Sequence, residues 1–293
     1  MITMNDYCQR VFGKKLYKLG LDAGFTCPNR DGKLDTRGCI FCSGAGSGDF
    51  TSGRDVDLDT QIEEAKRLVA GKYKGDSYIA YFQAFTNTYA PVEKLRELFY
   101  KAASHPGVKV ISIATRPDCL QSEVIELLSE LNKKIPVWVE LGLQTVKEST
   151  AEYIRRGYEL SVYDEAVRRL KGIGVHVITH VILGLPDETR EDMLGTVRYV
   201  KSAGSDGIKL QLLHVLKGTD LASDYEAGKF AVLSEAEYID ILMDCLKVIG
   251  DDMVVHRLTG DPPKSLLIAP MWSADKKRVI NDISARIKDL DLR

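Results

Sequence analysis

Short runs of apolar and β-branched residues recur along the chain at Leu16–Asp22, Ser77–Phe82, Val108–Ala114, Val137–Leu143, Val175–Ile182 and Gly207–His214. Runs of this length predict strands buried on both faces. The segments between them carry apolar residues at helical spacing: Gln61–Ala70, Val92–Ser104, Ser122–Asn132, Ser161–Gly172 and Arg190–Gly204. Asp59-Thr60 marks the first turn of one helix and Pro91 the start of the next, and Gly172 and Gly204 stand where C-caps are expected. Strand alternating with helix predicts a parallel sheet. Polar residues interrupt three strands (Glu140, His180, Gln211), and Gln83, Thr115-Arg116, Gln144 and Gly184 stand at strand ends. Polar groups inside apolar strands predict an interior ligand site, and α/β folds place active sites at the C-terminal strand ends. The expectation is an α/β fold whose six strands form an open barrel in preference to a flat doubly wound sheet.

After residue 218 the rhythm changes. Ser234–Gly250 reads as a helix with Ile239, Leu242, Leu246 and Ile249 on one face, Asp252–Leu258 as a strand, Thr259–Pro263 as a turn, and Lys276–Leu290 as a charged helix. No low-complexity linker precedes this tail, so residues 219–293 are expected to pack on the barrel of residues 1–218 as one globular unit. No apolar stretch approaches the length of a membrane span. The start, Met1–Asp6, has neither a basic nor an apolar leader segment, so a cytoplasmic location is expected and secretion is not. A net charge of −2 excludes a globally basic nucleic-acid binder but leaves room for a local basic groove.

The six cysteines change this picture most. In a reducing compartment they are not expected to pair as disulfides. Cys27, Cys39 and Cys42 cluster in a loop after the first strand, in the spacing Cys-x11-Cys-x2-Cys, while Cys8, Cys119 and Cys245 are scattered and read as ordinary thiols. Structural zinc wants four ligands, and no fourth cysteine or histidine lies near in sequence. Three thiolates suit a [4Fe-4S] cluster with one iron left open, and Phe41 stands where it shields such a cluster from water. Spacing alone leaves both metals open.

A triad ending Cys-x-aromatic-Cys after the first strand of a βα array resembles the radical S-adenosylmethionine (SAM) superfamily. The x11 gap departs from its common x3 spacing and resembles the Elp3-like branch. Ala114-Thr-Arg-Pro-Asp118, Glu140-Leu-Gly-Leu-Gln144, Arg156-Gly-Tyr158, His180–Pro186 and Arg257–Pro262 resemble motifs of that branch. Residues 27–32 (Cys-Pro-Asn-Arg-Asp-Gly), Phe82–Tyr89 and Thr115–Cys119 are similar to its YhcC/YtqA-type group. The resemblance implies a partial (β/α)6 TIM-like barrel. It also implies a [4Fe-4S] cluster whose open iron binds SAM, and reductive cleavage to a 5′-deoxyadenosyl radical that abstracts a substrate hydrogen. Members of the branch act on tRNA wobble uridine, so tRNA is the implied substrate and flavodoxin or ferredoxin the kind of electron donor. The chain ends a short way past Arg257, so an acetyltransferase domain is not expected. The rivals are a radical enzyme acting on a small molecule or protein, and a non-enzymatic metal-dependent tRNA-binding protein.

By the same resemblance Cys27, Cys39 and Cys42 hold the cluster. Gln83, Thr86 and Asn87 occupy the place of a glycine-rich strand end that holds the SAM amino group. Thr115, Glu140, Gln144 and His180 are expected at the cofactor. Arg156 matches the arginine that pairs with the SAM carboxylate, a charge-assisted bidentate geometry. Ala114 replaces a ribose-side glutamate, and Tyr158 replaces a histidine. His176 shares a strand face with His180, and His214, Arg257 and Asp261 are candidates for the substrate side. Lys14, Lys15, Lys18, Arg30, Lys33 and Arg37 near the cysteine loop form either a tRNA-phosphate patch or a solvated surface balanced by Asp22, Asp31 and Asp35.

Overall fold

The computed structural model describes every residue except Ser47, Asp49, Phe50, Ser52, Arg54 and Arg293. The strands are β1 (Ile2–Thr3), β2 (Tyr17–Leu21), β3 (Tyr78–Phe82), β4 (Val108–Thr115), β5 (Val137–Gln144), β6 (His176–Leu183), β7 (Gly207–Leu212), β8 (Val215–Leu216), β9 (Val254–Arg257) and β10 (Leu267–Ala269). The helices are α1 (Met4–Phe12), α2 (Leu58–Val69), α3 (Val92–Ala103), α4 (Ser122–Asn132), α5 (Glu148–Tyr153), α6 (Leu160–Gly172), α7 (Arg190–Ser202), α8 (Asp220–Glu226), α9 (Glu235–Ile249) and α10 (Lys276–Asp289). Eight strands form one parallel sheet in the order β1-β9-β7-β6-β5-β4-β3-β2, and β8 and β10 form an antiparallel pair. The six predicted strands are its consecutive run from β2 to β7. The sheet curls far enough for Lys209 of β7 to donate to the Tyr81 hydroxyl of β3 at 3.1 Å, so it is a partial barrel.

The outer face of the sheet is apolar and packs on α2, α3, α4, α6, α7 and α9 in the largest buried cluster. The inner face is layered. At its base Leu16, Ile79, Val110, Trp138 and Ile178 pack with Cys8, Met4, Tyr7 and Phe12 of α1, which closes the N-terminal end of the barrel. Above them the inward positions turn polar, and the C-terminal strand ends carry the loops. A third buried cluster joins Ile40 of the cysteine loop to Ile154, Ile182, Leu185, Leu221 and Ala222, which roots that loop in the top of the barrel.

Several expectations shift in detail. The left-handed residue after α6 is Gly174 (φ 72°), two places beyond Gly172, which remains helical. Gly204 is left-handed (φ 85°), as its position after α7 predicts. α2 begins at Leu58 because the Asp57 carboxylate caps it, accepting from the amides of Asp59 and Thr60. The tail does more than cover the barrel: β9 extends the sheet against β7, and β1 then pairs with β9. Among the described residues no helix is long and apolar enough to cross a membrane.

Candidate active site

Cys27, Cys39 and Cys42 face one cavity of about 160 Å³ at the C-terminal strand ends. The loop that carries them is held from three sides. Asn29 Nδ2 donates to Cys39 Sγ at 3.5 Å and to the Arg155 carbonyl at 2.8 Å. Arg30 donates to the carbonyls of Cys42 (3.0 Å) and Ser43 (2.7 Å). Arg155, left-handed at φ 57°, donates to the Gly38 carbonyl at 3.1 Å and pairs with Asp220. The Ile40 amide bonds the Ile154 carbonyl, and the Ile40 carbonyl accepts from Leu221. The loop is thus preorganised by tertiary contacts and not by its own secondary structure.

Burial pushes the Cys39 and Cys42 thiols up, Cys42 to about 12. Holding them as thiolates needs a cation among them. Among the described residues no group of three or more His, Cys, Asp or Glu side chains, the three cysteines included, is placed to hold a single metal ion. The nearest histidine on the cavity wall, His180, is already committed to Glu140. Three thiols on one wall without a fourth ligand fit a [4Fe-4S] cluster better than a structural zinc ion.

Gln83, Thr86, Thr115, Glu140, Gln144, Arg156 and His180 line the same cavity. Asn87 does not. Its backbone amide and Nδ2 both donate to the Ala114 carbonyl (3.1 and 2.9 Å), which turns the side chain into the seam between β3 and β4 and buries it completely. Thr115 Oγ1 shares a 2.6 Å hydrogen bond with Thr88, which fixes the end of β4. Gln144 ends β5 with a left-handed backbone, φ 65°, and its amide nitrogen donates to the carbonyls of Leu143 (2.9 Å) and Gly142 (3.1 Å). A Cβ on residue 142 would lie 2.7 Å from that amide, so the glycine is what lets Gln144 fold back over its own strand.

Arg156 is buried, and its guanidinium spans both carboxylate oxygens of Glu148 (2.9 and 3.1 Å) while donating to the carbonyls of Thr145 and Tyr158. Tyr158 is flanked by two guanidiniums, Arg156 at 4.8 Å and Arg116 at 5.4 Å from its ring, and its hydroxyl donates to the Gly142 carbonyl. Arg116 is itself paired with Asp118. Two guanidiniums therefore line the cavity, each already paired with a carboxylate.

Below the cavity lies a network that the sequence did not reveal as one. The fully buried Glu140 accepts from Lys18 (2.6 Å), Ser112 (2.7 Å), His180 Nε2 (2.8 Å) and Lys209. Burial opposes the charged carboxylate, yet Lys18 and Lys209 outweigh it and hold Glu140 well below its usual range. Burial pulls the His180 imidazole down to about 4, so it is neutral, with Nε2 donating to Glu140 and Nδ1 facing the Gln211 amide at 3.4 Å. Lys18 therefore belongs to the barrel interior and not to a surface patch. Arg30 is turned to the cysteine loop, Lys14 pairs with Asp76 and Arg37 with Asp35, which favours the charge-balanced surface over a phosphate patch. Inward parity was the available signal: Lys18 and Lys209 alternate with apolar neighbours in strands buried on both faces. Glu140 is bonded by lysines, a serine and a histidine, which makes it the barrel's buried anion.

A larger cavity of about 680 Å³ adjoins the first and shares Phe41, Cys42, Tyr81, Gln83, Gln144 and His180 with it. It opens at the unclosed seam of the barrel, between Tyr17–Gly20 of β2 and the far edge at Gln211, His214, Arg257 and Asp261.

Residues 36–200 match the radical SAM superfamily, and residues 205–289 match the radical SAM C-terminal domain. Protein YtqA of Bacillus subtilis (strain 168) is 48% identical over 98% of this chain and 89% of its own length. Elongator complex protein 3 of Drosophila melanogaster is 26% identical over 61% of this chain and 32% of its own length. The solved structure of Methanocaldococcus infernus Elp3 with an N-terminal deletion has the same fold, with a TM-score of 0.70 at 16% identity over 95% of this chain and 64% of that one. With its cysteine-lined cavity at the mouth of a partial barrel, the chain belongs to the radical SAM superfamily, in the Elp3-like, YhcC/YtqA-type branch, whose cofactors are a [4Fe-4S] cluster and SAM.

Proposed function

We propose that this enzyme cleaves SAM reductively and uses the product radical on a tRNA wobble uridine side chain. The observation that carries the reading is the convergence of three loop thiols and the strand-end polar residues Gln83, Thr115, Arg116 and Gln144 on one cavity. When bound, the cluster supplies the electron that splits SAM into methionine and the 5′-deoxyadenosyl radical. The chain's own residues do the rest. Cys27, Cys39 and Cys42 hold the cluster, and Asn29 and Arg30 fix the loop around them. Gln83, Thr86, Thr115 and Gln144 offer neutral donors and acceptors to the adenosyl and amino groups, and Arg116 and Arg156 supply the positive field for the carboxylate. Phe41 and Phe85 line the cavity and exclude water. The Glu140 network stiffens the floor on which substrate and SAM meet.

The tRNA assignment rests on resemblance to the Elp3-like branch, in the cytoplasm with a flavodoxin- or ferredoxin-type donor. Mass spectrometry of tRNA nucleosides from a strain lacking the chain tests it. Loss or replacement of one wobble uridine species is the expected result. An unchanged set of wobble uridines contradicts the tRNA assignment and leaves a small molecule or protein as substrate.

A further inference from the structure

Arg257 is a half-buried cation that lacks a partner among the described residues. The β7–β9 register slips by one residue, so Val255 faces Ile208 while Arg257 faces Lys209. Such a slip re-aims side chains. Here it sends both His256 and Arg257 inward. His256 stacks on Trp138 and His176 at the barrel base, and Arg257 lines the seam cavity above. Among the described residues the half-buried Arg257 guanidinium makes no hydrogen bond and no ion pair. It cannot shed its charge. The inner face around it holds Lys18 and Lys209 against the single carboxylate of Glu140, and the nearby Asp261 is occupied by Lys276 at 2.5 Å. Burial pushes the Lys209 ammonium well below its usual range, and even without its charge Lys18 and Arg257 outnumber the Glu140 carboxylate around the seam cavity.

A second, independent group points the same way. His214 lines this cavity, and its buried Nε2 has no hydrogen-bond partner. A Cβ at residue 260 would lie 2.5 Å from the His214 ring, so the glycine is what admits the imidazole at this place. Burial pulls His214 down to about 4, which leaves a neutral ring able to donate one N–H.

We propose that Arg257, with His214 beside it, is the anion anchor of the substrate: it binds a carboxylate or phosphate of the molecule whose hydrogen is abstracted. The proposal rests on the proposed radical function, with the seam cavity as the substrate's route to the adjoining cysteine cavity. Arg257, Lys209, His180 and Gly142 stand side by side on four neighbouring strands. Strands lie about 4.8 Å apart, so the Arg257 backbone stands two strands, roughly 10 Å, from His180 on the wall of the cysteine cavity. That span matches a nucleotide-sized substrate held at one end and attacked at the other. A planar guanidinium suits either oxyanion bidentately.

The test needs no turnover, so its failure is separable from failure of the radical chemistry. Cluster-loaded, SAM-bound protein is titrated anaerobically without reductant, with inorganic phosphate or with acetate at constant ionic strength, following thermal unfolding. At least one anion is expected to raise the unfolding temperature. Arg257→Met should weaken that binding about tenfold or more, Arg257→Lys should recover part of it, and His214→Ala should weaken it less. A response to phosphate alone assigns the anchor to a nucleic-acid phosphate, and one to acetate alone to a carboxylate. No response to either anion, or an equal response in Arg257→Met with an unchanged starting melting temperature, overturns the proposal.

Discussion

Glu140 points inward, as its parity with Gln144 implies, but its carboxylate is saturated by Lys18, Lys209, Ser112 and His180. Local sequence cannot show such a network, because its members lie on five different strands. Arg155 and Arg156 illustrate the same limit. Side by side in sequence, they diverge because residue 155 is left-handed: one clamps the cysteine loop, the other clamps Glu148. Removing one member of a buried ion cluster leaves uncompensated charge. Glu140→Gln should therefore lower stability by about 3–5 kcal/mol in urea denaturation, and Glu140→Gln combined with Lys209→Met should recover much of that loss. A single-variant loss below about 1 kcal/mol would show that the two ammoniums do not depend on Glu140.

At the scale of elements, the strands from β2 to β7 and their crossover helices were legible because strands buried on both faces are predominantly apolar. What escaped was short or irregular. α1 is a nine-residue amphipathic helix without a strand-like run to mark it, yet it closes the barrel base through Cys8, Tyr7 and Phe12. α5 and α8 are single turns or little more, but their Ile154, Leu221 and Ala222 root the cysteine loop. The strand near residue 255 was foreseen, whereas its place in the sheet and its register slip were not. Those depend on pairing with β7, which periodicity does not report. Asn87 was expected at the cofactor because its loop occupies a strand end. The loop does reach the cavity at Thr86, and the next residue turns away to brace Ala114.

For the molecule as a whole, the buried imidazoles set how stability responds to pH. Burial pulls His176, His180 and His214 each to about 4, and His256 well below its usual value. Unfolded, each titrates near 6.5. Between those values the unfolded chain binds more protons than the folded one, so stability falls as pH drops from about 6.5 toward 4. Glu188 works in the opposite sense: burial raises its carboxyl to about 7, which removes stability as pH rises from about 4.5 to 7. Four imidazoles outweigh one carboxyl, so the unfolding free energy from urea titrations should climb between pH 5 and 6.5, by about 1.4 kcal/mol per pH unit for each net proton, and the urea midpoint with it. A flat or falling midpoint would mean that these histidines are solvated.

The whole-molecule account also joins chemistry to architecture. The sheet stays unclosed, and the cavity at that seam adjoins the one lined by the three cysteines. The measurement that tests this most directly is anaerobic reconstitution with iron and sulfide, followed by reductant and SAM. The account predicts about four irons per chain and 5′-deoxyadenosine that forms only with reductant, both lost in Cys42→Ala. Stoichiometric zinc with no SAM cleavage, or full cleavage by Cys42→Ala, would contradict it.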